Sequence, residues 1–142
     1  MARELLVLAL VAATGCGGCS KSESAPAGKP LAGKAFYRID AGPPAACASG
    51  SLCEARVVLT ALGDYHVNKD YPFKFIGDPA ATALEGVGDF TLDGAKRGIM
   101  TLKFRPAAPG SAKVVGNFKL SVCSDETCEI ESPRVELAVP VS

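Results

Sequence analysis

Tryptophan is missing from this 142-residue chain, histidine occurs once, and aromatic residues together make up only 6% of it. Charge of either sign is not in excess: 15 basic residues balance 15 acidic ones, and no basic run interrupts that balance. This removes the electrostatic footprint of a nucleic-acid-binding domain. One histidine and no G-x-S-x-G segment leave no hydrolytic triad, and no phosphate-cradling glycine loop or clustered metal-ligand motif is present. No cofactor and no metal are expected. Long hydrophobic runs are also lacking, since a helix that crosses a bilayer needs about 20 apolar residues. No stretch sustains a convincing helical period; residues 80–84 allow one turn before Gly86 and Gly88 cut it short.

What the chain does contain is turn residues and cysteine. There are 15 Gly and 10 Pro, with Val, Leu and Ala supplying most of the apolar content. That composition suits short strands joined by turns. Six cysteines in a chain of this size indicate an oxidising compartment.

The N-terminus reads as an export signal. Arg3 is followed by a nine-residue apolar run, 5–13, and by the small residues Thr14 and Gly15. The segment Ala13-Thr14-Gly15-Cys16 resembles a bacterial lipobox, which makes Cys16 the expected site of lipidation, carrying palmitate or similar chains. Residues 1–15 are then a lipoprotein signal peptide. Residues 16–33, rich in Gly, Ser and Pro, have too little apolar surface to offset their ordering entropy and form a flexible tether. Cys19 lies in it as an unpaired thiol. Residues 34–142 form the globular domain. At about 0.8 kcal/mol per buried methylene, several acyl chains hold such a protein stably on a membrane. The expected location is the bacterial cell envelope, lipid-anchored and facing the periplasm, as a monomer.

Strand signals follow in sequence over 35–39, 55–62, 73–76, 89–92, 99–105, 113–122 and 134–141, each bounded by Gly, Pro, Asp or Ser. The pair Asp93-Gly94 marks a hairpin-type turn. Alternation is clearest late in the chain. Val114, Gly116, Phe118, Leu120 and Val122 share one face, and Val135, Leu137, Val139 and Val141 share another. Seven or eight strands without helical crossovers predict an all-β fold, an immunoglobulin-like antiparallel β-sandwich, with a small barrel as the alternative.

Four cysteines fall in the domain as two local pairs, Cys47/Cys53 and Cys123/Cys128, although four cysteines allow three pairings. A disulfide needs Cα atoms roughly 5.5 Å apart, whereas five extended residue steps span roughly 16 Å, so a Cys123–Cys128 bond requires 124–127 to turn back as a hairpin loop. The chain-entropy model gives about 2.2 kcal/mol for that short loop and about 4.5 kcal/mol for a Cys47–Cys123 link. Stability alone favours the long link; two short loops are compatible with redox work. Cys47/Cys53 reads as a structural loop disulfide. Cys123/Cys128 reads either as a redox pair or as a hairpin staple. Asp125, Glu126 and Glu129 surround it in sequence and disfavour a thiolate, so the pair suits attack by a partner's thiolate while oxidised, unless Lys119 or Arg134 folds close. His66, next to Tyr65, reads as a packed or surface residue, with thiol assistance as the other possibility.

The segment from Cys123-Ser124-Asp125-Glu126-Thr127-Cys128 through Ser132-Pro133 to the terminal run 134–141 resembles the N-terminal periplasmic domain of the thiol:disulfide interchange protein DsbD and its relatives, and residues 63–72 resemble that family's segment before its central strands. The resemblance implies an immunoglobulin-like sandwich in which Cys123 and Cys128 pass electrons between proteins. Its partners would be a thioredoxin-like or membrane electron-donor protein on one side and exported thiol proteins on the other. It also implies an aromatic cap over the cysteines, for which Tyr71 and Phe73 are the candidates; core or edge packing is the other reading of that pair. A non-catalytic envelope lipoprotein that binds a protein partner, with purely structural disulfides, is the second function the sequence supports.

Overall fold

The computed structural model describes residues 29–142. The signal peptide, the lipidation residue Cys16 and most of the tether, Cys19 included, lie outside the described residues. Ten strand segments follow in chain order: β1 (Ala32–Lys34), β2 (Tyr37–Ala41), β3 (Cys53–Ala61), β4 (His66–Val67), β5 (Lys74–Gly77), β6 (Leu84–Leu92), β7 (Arg97–Phe104), β8 (Gly110–Cys123), β9 (Cys128–Glu131) and β10 (Arg134–Val141). All pairings among them are antiparallel.

One sheet has the order β1-β2-β3-β7-β6. The other is built on β8, which pairs with β4 and then β5 along one edge, and with β9 and then β10 along the other. If β4/β5 and β9/β10 are each taken as one interrupted strand, the sheets read A-B-E-D and C-F-G, with β1 added at the edge. That is the constant-type immunoglobulin order. The chain is an immunoglobulin-like β-sandwich.

The core is where the alternation puts it. Val114, Phe118, Leu120 and Val122 from β8 are fully buried, and so are Val57 and Leu59 from β3 and Leu102 and Phe104 from β7. Val135, Leu137, Val139 and Val141 face them from β10. The open side between β5 and β6 is closed by rings. Phe73 stacks on Phe90 with centroids 3.8 Å apart, and both approach Phe118. Phe90 lies over Gly98, where an added Cβ would come within 2.0 Å of the ring. This contact is the reason β7 has no side chain at that position.

Three features differ from the sequence reading. The domain begins earlier than residue 34, because Leu31 and Ala32 pack against the core and the Leu31 N–H donates to Ile39 O at 2.8 Å. The strand expected over 89–92 starts at Leu84, carrying Gly86 and Gly88 through two register shifts against β7. The residues suggested for a helical turn, 80–84, instead lead into that strand. Finally, burial on β8 is not confined to the face of Val114, Phe118, Leu120 and Val122: Val115 and Ser121, on its other face, are buried at 3% and 0%.

Gly98→Ala is expected to destabilise the domain by about 1–3 kcal/mol through overpacking against Phe90. In a Phe90→Ala background most of that cost disappears, which a double-mutant cycle by denaturant unfolding measures. Additive costs would show that the ring is not the obstacle.

Candidate functional site: a disulfide across the tip of the small sheet

The β8–β9 hairpin is closed by Ser124. Its N–H donates to Thr127 O at 2.8 Å, and its Oγ accepts from the N–H groups of Glu126 and Thr127 at 3.3 Å each. This local bonding is the usual competition of a serine side chain with regular structure, here used to reverse the chain. The reversal sets Cys123 directly opposite Cys128, with Cα atoms 4.0 Å apart and the sulfurs bonded. The expected pairing and hairpin are therefore both present.

Parity then decides which way these residues point. Val122 is fully buried and is paired with Val67, itself 3% exposed, so both face the core. Their neighbours Cys123 and His66 point to the opposite, outward face. His66 is the cross-strand partner of Cys123 on β4, while Cys128 is its partner on β9. His66, Cys123 and Cys128 thus form one row across three strands. Directly opposed residues in such a ladder have Cβ atoms roughly 4.5–5.5 Å apart. The row is uneven: Cys123 in the middle is 7% exposed, while His66 and Cys128 at its ends are exposed.

The same parity redistributes the charges that sequence proximity groups around the pair. Asp125 and Glu126 remain in the exposed turn. Glu129 and Glu131 are register partners of Val122 and Leu120, so they belong to the other face from Cys128. Glu131 reaches Lys34 across to the β1 edge at 2.6 Å, and its carboxylate raises the Lys34 ammonium above its ordinary pKa. Neither cation considered from the sequence stands beside the sulfurs. Arg134 pairs with Asp78 at 2.9 Å, and Lys119 sits in register with Lys74, two outward rows from Cys123. The Ala80 N–H and the Arg134 guanidinium hold the Asp78 carboxyl below its usual range.

Tyr71 and Phe73 occupy the loop between β4 and β5. Tyr71 meets Phe73 edge-on at 5.3 Å, and Phe73 is committed to Phe90 and Phe118 between the sheets. Phe73 accordingly serves the core, in line with the packing reading. The loop is tied to β8 below the cysteines, where Asn68 donates its N–H to Ser121 O at 3.0 Å and its Nδ2 to Ser121 Oγ at 3.3 Å.

The second disulfide, Cys47–Cys53, sits at the far end of the sandwich. Cys53 opens β3 and is in register with Phe104, whereas the other end of β3 approaches Lys96 and the β4 end. Both of its cysteines are buried in the core, at 6% and 2%. Its loop is bound to the C-terminus, with Ser142 N–H donating to Cys47 O and Ser49 N–H to Ser142 O. Among the described residues, no group of three His, Cys, Asp or Glu stands close enough to hold a metal ion.

Cys123→Ala/Cys128→Ala is expected to leave a folded domain, less stable by about 2 kcal/mol in denaturant unfolding. Cys47→Ala/Cys53→Ala is expected to cost more, because buried side chains are lost along with the loop closure.

No family model matches the sequence, and no curated protein matches it. Among solved structures, the GAE domain of yeast GGA1 superposes with a TM-score of 0.49 at 14% identity, over 76% of this chain and 96% of that one. AggA, the major subunit of the aggregative adherence fimbriae type I of Escherichia coli, superposes with a TM-score of 0.38 at 10% identity, over 81% of this chain and all of that one. The strand order A-B-E-D over C-F-G, independent of these two likenesses, makes the chain an immunoglobulin-like sandwich.

Proposed function

We propose that this immunoglobulin-like domain is a protein-binding module of the bacterial envelope that meets its partner through the outward face of the small sheet at the β8–β9 end. The supporting observation is that Cys128, His66 and Ile130, the last 67% exposed, crowd onto that face. Anchoring by Cys16 would hold the domain at a membrane and present this end to soluble or membrane partners. In the simplest form of this reading both disulfides are structural.

A more specific reading, thiol–disulfide exchange with the partner, is favoured by one observation. The Cys123–Cys128 bond offers an exposed cysteine to attack and keeps a buried one behind it. A partner thiolate would attack Cys128 Sγ, the electron pair of the disulfide would pass to Cys123 Sγ, and a mixed disulfide would form. The partner's second thiol then attacks its own sulfur in that bond and releases Cys128 as a thiolate. The domain ends as a dithiol and the partner as a disulfide. The resemblance to DsbD-type domains points the same way.

Two measurements on the full chain separate the readings. A photo-crosslinker at position 130 is expected to yield a defined partner adduct, and one at Leu92, on the other sheet, is not; equal labelling from both would sink the binding face. Exchange predicts a reduction potential for the Cys123–Cys128 pair above about −300 mV and, in Cys123→Ser, a mixed disulfide through Cys128. A potential below that value would make the bond structural.

A further inference from the structure

We infer that His66 supplies the positive charge that stabilises Cys123 as the leaving thiolate when a partner attacks Cys128, an inference that rests on the exchange reading above.

The row across β4, β8 and β9 has a direction. Displacement at a disulfide sulfur proceeds in line, so a thiolate attacking Cys128 Sγ approaches from the side opposite Cys123. For a bond that runs from β8 to β9, that is the outer side of β9, which among the described residues pairs with no strand but β8. The incoming sulfur, Cys128, Cys123 and His66 then follow one another across the strands. Negative charge enters at one end of the row and arrives on Cys123, whose other neighbour is His66.

Cys123 needs such help. It is 7% exposed, so water solvates its thiolate poorly, and burial disfavours the charged form. The charged residues that flank the row in the chain are Asp64 before His66, Lys69 and Asp70 after it, Asp125 and Glu126 in the turn, and Glu129 on the opposite face; Lys96 donates its ammonium to Gly63 O ahead of β4. The acidic members act against a thiolate. Lys96 is engaged with the loop backbone, and Lys119 lies two rows away. Histidine is the side chain whose charge changes near neutral pH, and as imidazolium it lowers a neighbouring thiol's pKa. A lower leaving-group pKa speeds exchange. The proton stays on the imidazole as an ion pair or passes to Cys123 Sγ once the mixed disulfide has formed. Either way the atoms balance without a further reactant, the reductant being the partner dithiol.

The test uses the full chain, with dithiothreitol as the reducing dithiol, and compares the wild type with His66→Gln and His66→Lys. Reduction of the Cys123–Cys128 pair is followed against pH, and the thiolate of the reduced protein is titrated by its ultraviolet absorbance. In His66→Gln the Cys123 titration is expected to move up by about one unit. A leaving group of higher pKa departs more slowly, so reduction is expected to slow by a few-fold. His66→Lys, which keeps a cation in place, is expected to restore both. Unchanged rate and titration in His66→Gln would overturn the role of His66 while leaving exchange intact. An equal slowing in both variants without a titration shift would also overturn it, marking the residue as packing. A wild-type pair that dithiothreitol fails to reduce in the folded chain would remove the exchange reading itself.

Discussion

The inside–outside alternation of β8 is the constraint on which the rest of the molecule depends. Along this 14-residue strand, Val114, Gly116, Phe118, Leu120 and Val122 face the opposite sheet, and every strand of the small sheet takes its register from it. Because the period is two, fixing Val122 inward also fixes Cys123 outward. A slip of one residue would exchange the two faces and put Cys123 in the core. The buried row therefore determines that the cysteine pair lies on the surface side of the sheet. Gly116 shows how tightly that row is held: an added Cβ there would fall 2.4 Å from the Phe75 ring and from Ile76 O.

Much of this was legible in the amino-acid sequence, for a physical reason. Strands buried on one face show their period: residues 134–141 alternate without interruption, and 113–122 keep the pattern on one face although Val115 and Ser121 on the other are also buried. The hairpin was legible on the condition that Cys123 pairs with Cys128, since those sulfurs meet only if four residues reverse direction. Edges were less legible. The first half of β6 carries Gly86 and Gly88 on a sheet edge, where weak packing tolerates glycine and the alternating signal fades. β9 reads Cys-Glu-Ile-Glu, and its inward positions are carboxylates because the G edge opens toward Lys34 instead of closing over the core. The site was only half legible. Cys123 and Cys128 are neighbours in the chain, whereas His66 reaches them through a two-residue strand whose register nothing local specifies. Its Val67 must find Val122, and that pairing is a tertiary event.

Proximity in sequence also misled on charge. Asp125, Glu126 and Glu129 look like a single acidic collar around the cysteines. Alternation divides them, sending Glu129 to the opposite face and leaving the other two in a solvated turn. The row through the disulfide has an exposed histidine at one end and an exposed cysteine at the other, and it is less acidic than the linear sequence suggests.

The fold's hold on this bond is small, and that bears on both readings of the site. Closing a six-residue loop contributes about 2.2 kcal/mol, which for a two-electron couple corresponds to about 50 mV relative to the same pair in an unfolded chain. The hairpin does not rely on the bond for its shape. The ladder from Leu120↔Glu131 to Val122↔Glu129 and the Ser124 turn hold the strands together without it. These contacts are separate from the sulfur–sulfur bond, and Cys123, unlike Cys47 and Cys53, lies outside the core cluster. Cys47–Cys53 contrasts on both counts, since its sulfurs are part of the core and its loop carries the C-terminus. A bond that contributes little to stability and costs little structure to break makes a weak staple.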